Sequence, residues 1–338
     1  MSEQYTFSSV ASESPKSNLN EREMETLKKL HLSSEDLQGL LSGEPIAQGS
    51  YAMIFDLPES NTVAKVWKNP QRDSDRAETE HVALRILRKR KYPYSPNVKG
   101  YVEDPRILFE TKEYGKSSQE FDDEVLDQLA IALAELHSIE LFSYGKPLTE
   151  RKKGTQFECL IDGIKTLENK LAEATGSQED INSIQDAIEK LKIEAGKNEN
   201  VFTSSKFTLI HFDLNPNNIL YSRGDQKLTI LDWEQASAGD NSMDIAKLFF
   251  KSKFDEQQKR KFLSEYKKKL QQDDPGLDSR IKVYDQFVRI NSVLWRLDVL
   301  ASEPNQHTSI EEREFYQRVK DNLDTEVKQL KNVNEGPK

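Results

Sequence analysis

The chain has 338 residues, a formal net charge of −10, a hydrophobic fraction of 36% and one cysteine, Cys159. That length suits one large domain or two lobes, and the acidic balance argues against a nucleic-acid-binding surface. A lone cysteine excludes an internal disulfide, no apolar run approaches the ~20 residues of a membrane span, and the polar start lacks a secretory signal, so a cytoplasmic protein is expected.

Taken in chain order, residues 1–20 are rich in Ser, Glu and Asn without a sustained period, which predicts a mobile tail. "EREMETLKKLHL" and the capped "SSEDLQGLL" read as short helices. "PIAQGSYAMIFDL" and "NTVAKVWK" are strand-like runs joined by the turn-rich "PESN", hence a hairpin. A helix over "SDRAETEHVALRILRKR" and a strand over "RILFETKEYG" complete a small α+β lobe, placed at 21–113 with its leading helices. The remainder, 114–335, forms a larger lobe. It opens with an amphipathic helix in "FDDEVLDQLAIALAELHSI", where Val125, Leu129, Ala132, Leu133 and Leu136 recur at three- and four-residue steps. Residues 158–195 read as a helical hairpin joined at "TGSQ", and the chain from Met243 onward is almost wholly helical in pattern.

The stretch "LIHFDLNPNNILYS", from Leu209 to Ser222, sets His211, Asp213, Asn215, Asn217 and Asn218 between two apolar runs. His211-x-Asp213 followed by Asn218 has the H-x-D-x-x-x-x-N spacing of a phosphoryl-transfer loop. That chemistry needs an aspartate to accept a hydroxyl proton and a neutral oxygen ligand for magnesium a few residues on. Fourteen residues after Asn218, Asp232 closes another strand-like run in "LTILDWEQASAGDNSMDIA", where a carboxylate would meet the same metal. Asn-Pro and Asn-Asn also favour ordinary turns, but the two motifs in this order and at this distance favour the catalytic reading.

"HFDLNPNNIL", "LDWEQASAGDNSMDIAKLF" and "LAIALAELHSI" together resemble the aminoglycoside phosphotransferase and choline kinase family, over about residues 44–300. The resemblance implies an α+β, bilobal protein-kinase-like fold with a small β-rich N-lobe and a large, mainly helical C-lobe. It also implies ATP and Mg2+ as cofactors and a small-molecule hydroxyl acceptor. Phe212, Asn215 and Asn241 depart from the family's usual Gly, His and Pro, and none of these changes removes a metal ligand or the base.

On that footing Asp213 is the expected base, and Asn218 and Asp232 are the metal ligands. The single-glycine loop Gly49, Ser50 and Tyr51 would face the phosphates, with Lys65 of "VAKVW" as the phosphate clamp. A helical wheel selects its partner: Glu80 falls inside the apolar arc centred on Ala83, whereas Glu78 points nearly opposite and shares capping-box spacing with Asp75. Phe109, Glu110 and Lys112 bracket the segment expected to read adenine. Asp244 is expected to brace the loop near His211, itself a packed side chain, and the remaining histidines show no metal-ligand spacing. A protein kinase is disfavoured by Asn215 and by the absence of D-F-G and A-P-E motifs. A catalytically inactive nucleotide-binding module is disfavoured by the intact Lys65, Asp213, Asn218 and Asp232. The acceptor is not specified; the net charge leans toward a cationic or neutral polyol-like compound. The 158–195 hairpin is expected to wall the acceptor side, with packing bulk as its alternative role.

Overall fold

The computed structural model describes residues 33, 36, 40, 43–49, 51–69, 73–103, 106–117, 121–146, 151–270, 273–303 and 310–335. The expected tail, the helix at 21–32, most of the "SSEDLQGLL" helix and Ser50 therefore lie outside the described residues. The chain forms two compact units, Met1–Ser118 with Asn217–Ala236, and Gln119–Pro216 with Ser237–Lys338.

The first unit is built on an antiparallel five-stranded sheet in the order β1-β2-β3-β5-β4. Its strands are β1 (Ala47–Gln48), β2 (Ala52–Leu57), β3 (Thr62–Trp67), β4 (Val98–Val102) and β5 (Ile107–Thr111). The run read as one strand from Pro45 is instead broken at Gly49. Gln48 pairs with Met53 and the Gly49 N–H donates to the Ala52 carbonyl at 2.9 Å, so the loop closes a hairpin of its own. The "PESN" connection is a helical turn, Pro58–Ser60, ended by Asn61 in the left-handed region with φ 48°. Asparagine tolerates that conformation better than most residues. Strand β4, with a glycine in a five-residue run, carries too weak a pattern to have been expected.

Alternation along β3 sends Ala64 and Val66 into a cluster with Phe55, Leu57, Val102, Ile107 and Phe109. It turns Lys65 to the other face. There lies helix α1 (Ser74–Lys89), which buries Ala77, Glu80, Ala83, Leu84 and Leu87. The helix begins at Ser74 behind Asp73, two residues earlier than a capping box on Asp75 requires, and Glu78 pairs with Arg106 at 3.4 Å instead. A second sheet of this unit joins β6 (Lys116–Ser117), β9 (Ile219–Ser222) and β10 (Lys227–Ile230) in the order β10-β9-β6. A Cβ at Gly115 would come within 3.0 Å of the Tyr221 backbone, so glycine is what permits this approach.

The second unit carries a three-stranded sheet, β11 (Ser237–Gly239), β8 (Phe207–Ile210) and β7 (Glu140–Leu141), in that order. Its helices are α2 (Asp123–His137), α3 (Gln156–Glu173), α4 (Gln178–Lys197), α5 (Asn241–Ser252), α6 (Glu256–Leu270), α7 (Leu277–Ala301) and α8 (Ile310–Glu335). All five apolar positions read in α2 are buried, and Asp122 caps it by accepting the Val125 N–H at 3.0 Å. The hairpin α3–α4 is capped at both starts, by a Thr155–Glu158 capping box and by Ser177. It packs on α7, and α4 also meets α8. Among the described residues no helix is long and apolar enough to cross a membrane.

Candidate active site

In the first unit, Lys65 sits on β3 opposite Ile54 and Leu108, and its stem is enclosed by the sheet. Its Nζ lies 2.7 Å from Glu80 Oε2, 2.7 Å from Asp232 Oδ1 and 3.6 Å from Glu234 Oε2. Glu80 is buried on α1, and its Oε1 accepts the Trp233 backbone N–H at 3.1 Å. Burial pulls the Lys65 ammonium toward neutrality, but the carboxylates of Asp232, Glu80 and Glu234 outweigh it and hold its pKa well above the ordinary value. Burial raises Glu80 to about 7, with Lys65 opposing and Asp232 and Glu234 adding to the rise. Glu234 is raised by burial too; its Oε1 is held by Arg76 Nη1 at 2.8 Å, and the Arg76 guanidinium lies 3.7 Å above the Tyr51 ring.

Asp232 and Asn218 are brought together by the β9–β10 ladder. Ile219 pairs with Ile230, and the Leu231 N–H donates to the Asn218 carbonyl at 2.8 Å, so both residues stand at the open end of one hairpin. Asp232 has φ 64°, a left-handed conformation that costs an L-residue roughly 1–3 kcal/mol. Next to it Trp233 is fully buried, donating Nε1–H to the Ile230 carbonyl at 2.9 Å. Glu80, Asp232 and Glu234 offer oxygens within 4.8 Å of one another. Glu80 is already committed to Lys65 and Trp233, whereas the Asp232 side chain is 37% exposed. With the Asn218 amide at the same hairpin end, this all-oxygen donor set fits a hard dication such as Mg2+.

In the second unit, the loop after β8 is fastened by one buried carboxylate. Asp244 on α5 accepts the backbone N–H groups of His211 and Phe212, each at 2.7 Å. His137 Nε2 lies 3.2 Å from Asp244 Oδ2, and His137 Nδ1 lies 2.8 Å from the Tyr266 hydroxyl. The Asp213 N–H donates to His211 Nδ1 at 3.2 Å, and the His211 ring is fully buried. Phe212 has φ 64°, the conformation for which the family's usual glycine is suited. The Asp213 side chain is 36% exposed and lies 3.6 Å from Lys247 Nζ. Asp240 is structural: it caps α5 through Ser242 and pairs with buried Arg280 at 2.9 Å.

The remaining expected residues are less directly engaged. Gly49 lies in the β1–β2 turn, its carbonyl accepting from Lys68 Nζ at 2.8 Å. Phe109 is buried in the core, and Phe109 and Glu110 pair with strands on both sides of β5. Burial, then the charge of Glu80, raises the Glu110 carboxyl to about 8. The Lys112 N–H donates to the Asn61 carbonyl at 3.1 Å, and its ammonium meets Asp56 at 2.5 Å. Beyond them, Glu113–Gly115 belong to no strand or helix. Sequence reasoning missed Arg76, Glu234 and Lys247. Arg76 stands one helical turn before Glu80, a spacing that could have shown a shared face.

The chain matches the profile of the phosphotransferase enzyme family over residues 59–280, well over half its length. No curated protein matches it by sequence. Among solved structures, it resembles a choline/ethanolamine kinase family protein from Mesorhizobium loti at 16% identity and a TM-score of 0.55, covering 88% of this chain and 97% of that one. It is 19% identical to a choline kinase from Streptococcus pneumoniae, with a TM-score of 0.54 over 82% of this chain and 91% of that one. It is 21% identical to an ADP-bound aminoglycoside phosphotransferase, with a TM-score of 0.54 over 88% of this chain and 97% of that one. The likeness is one of fold: an antiparallel N-terminal sheet with a helical C-terminal part, as the sequence resemblance implied.

Proposed function

The chain belongs to the phosphotransferase enzyme family, and on that premise we propose that it is a small-molecule kinase using ATP and Mg2+. The observation that carries this reading is the buried Lys65, held at 2.7 Å by both Glu80 and Asp232. A buried ammonium needs paired carboxylates to stay charged, and one of these carboxylates is exposed enough to be given up to a metal. Lys65 would bind the nucleotide phosphates, fixed in place by Glu80, while the Gly49–Tyr51 turn covers them. Glu113–Gly115, next to the expected Phe109, Glu110 and Lys112, offers the backbone that would meet the base.

Asn218 and Asp232 would hold Mg2+, which when bound neutralises charge on the phosphates. Asp213 would orient the acceptor hydroxyl and take its proton as the oxygen bonds to the γ-phosphorus. The bond from that phosphorus to the bridging oxygen breaks, and ADP leaves with the electron pair. Phe212 and His211 keep Asp213 in position through Asp244, leaving the base to act without reorganising its loop.

The test is Asp213→Asn assayed across a pool of hydroxyl compounds. Turnover should fall about 10²–10⁴-fold, the usual scale for a positioned proton acceptor, with nucleotide affinity nearly unchanged. Turnover within a few-fold of wild type would remove Asp213 from this role. Nucleotide binding with no turnover of any compound would identify a binding module.

A further inference from the structure

Lys247 and Lys251 lie one turn apart on α5, the helix that also carries Asp244. Lys247 is largely enclosed, with a side chain 13% exposed, and its charge is offset by Asp213 only at the long distance of 3.6 Å. Lys251 Nζ is held by the neutral Ser292 hydroxyl at 3.3 Å and lies 5.3 Å from the Phe250 ring centroid. Lys170 reaches in from α3 and bonds the neutral Asn291 side chain at 2.8 Å. Among the described residues no carboxylate stands within ion-pair distance of Lys170 or Lys251. The nearby Glu326 brings no spare negative charge, because it is already doubly bonded by the Arg296 guanidinium at 2.7 and 3.1 Å.

The ammonium groups of Lys247 and Lys251 thus stand one turn apart on the same helix, and Lys247 lies beside the carboxylate assigned to the acceptor hydroxyl. Burial, then Lys247 and Arg296, lower Lys251 to about 8, which leaves it mostly charged at neutral pH. Lys170 is exposed on α3 and stands at the edge of this pair; burial, then the charge of Lys247, lowers its pKa, with Asp298 opposing. Holding Lys251 on a neutral hydroxyl beside the half-paired Lys247 costs stability, and such a cost is kept where a ligand repays it.

We propose that this cluster recognises an anionic group on the acceptor, so that the substrate is a small hydroxyl compound bearing a carboxylate or phosphate. The proposal rests on the kinase reading above and gives its acceptor a chemical class. It runs against the lean drawn from the net charge of −10, because a local field set by groups a few ångströms away outweighs the distant surface. A quaternary ammonium or polyamine acceptor would approach Lys247 and Lys251 against like charges.

The experiment has two arms. In the first, pools of hydroxy acids, of sugar and polyol phosphates, of amino alcohols and aminoglycosides, and of neutral polyols are offered with Mg·ATP to wild type and to Lys251→Met. In the second, inorganic phosphate is titrated against the thermal melt of both proteins, and Lys65→Met identifies any stabilisation arising at the nucleotide side. Anionic acceptors should be the ones turned over, and the two anionic pools separate carboxylate from phosphate recognition. Lys251→Met should raise the acceptor KM about 30-fold or more, as expected for truncating one member of an enclosed charge pair, with the ATP KM unchanged. The variant should also melt higher than wild type when no anion is present and lose phosphate stabilisation. Preferred turnover of cationic or neutral compounds, indifferent to Lys251→Met, would overturn the anion site and leave the kinase reading standing. No turnover in any pool, with phosphate stabilisation lost in Lys251→Met but kept in Lys65→Met, would overturn the kinase reading and leave the anion site standing. Failure of both arms overturns both.

Discussion

Glu78 and Glu80 are two residues apart on one helix and live in different media. Glu80 is buried between Lys65 and the Trp233 amide, whereas the Glu78 side chain is 41% exposed and pairs with Arg106 at 3.4 Å. An exposed pair of that kind contributes about 0–1 kcal/mol. Glu80→Gln should therefore lower kcat about 10²-fold, the cost of a misplaced phosphate-binding group, while Glu78→Gln stays within about threefold. Equal effects in steady-state kinetics would detach Lys65 from Glu80 functionally. Glu110 allows a pH test. Its folded pKa of about 8 lies above the ordinary carboxylate value of 4.5, so the folded state binds the extra proton between those limits and its ionisation is increasingly unfavourable as pH rises. Glu110→Gln, which cannot ionise, should gain melting temperature over wild type more at pH 8.5 than at pH 5.5. A pH-independent difference would mean that the carboxyl is not held protonated.

The elements differ in how plainly the sequence announced them. Helix α2 and the α3–α4 hairpin were legible because their apolar residues repeat at helical steps and their caps are conventional. The segments around Asp213 and Asp232 drew notice by spacing, and the wheel that led to Glu80 found the partner of Lys65 because α1 has one apolar arc into which a lone acid intrudes. Strand β4 and the break at Gly49 were not legible, because short strands interrupted by glycine have no periodic signal. Arg76, Glu234 and Lys247 escaped for another reason: their significance arises from partners 158, 169 and 34 residues away, a separation that no local pattern encodes. The hairpin illustrates both sides. Its buried Leu167, Ile184, Ile188 and Leu191 make it part of the core of its unit, while the exposed Lys170 bonds Asn291 of α7. Ile188→Ala should cost about 2–4 kcal/mol in denaturant unfolding, the range for truncating a buried aliphatic side chain, with ATP affinity unchanged. A loss below 1 kcal/mol would reduce the hairpin to an appendage.

At the scale of the whole molecule, ligand binding is the cleanest measure of whether the donor set at the β9–β10 hairpin holds a metal. A ligand that binds the folded state alone raises stability by RT ln(1 + [L]/Kd). Mg·ATP should raise the melting temperature, ATP with a chelator should do so much less, and Asp232→Asn should erase most of the difference between them. An identical shift with and without the metal would rule out Asn218 and Asp232 as ligands. The partition of the chain has a further consequence, for genetic dissection. Residues Asn217–Ala236 belong to the unit formed by the first 118 residues, so the polypeptide changes units at 118, 216 and 236. A fragment cut after Ser118 would keep Lys65 and Glu80 but lose Asn218, Asp232 and Glu234, and it would also lose the Trp233 ring and amide that Glu80 serves. No single cleavage of the gene can therefore separate the first unit whole from the second. Evolution could shuffle this module into another protein only by carrying a twenty-residue insert along with it, or by circular permutation.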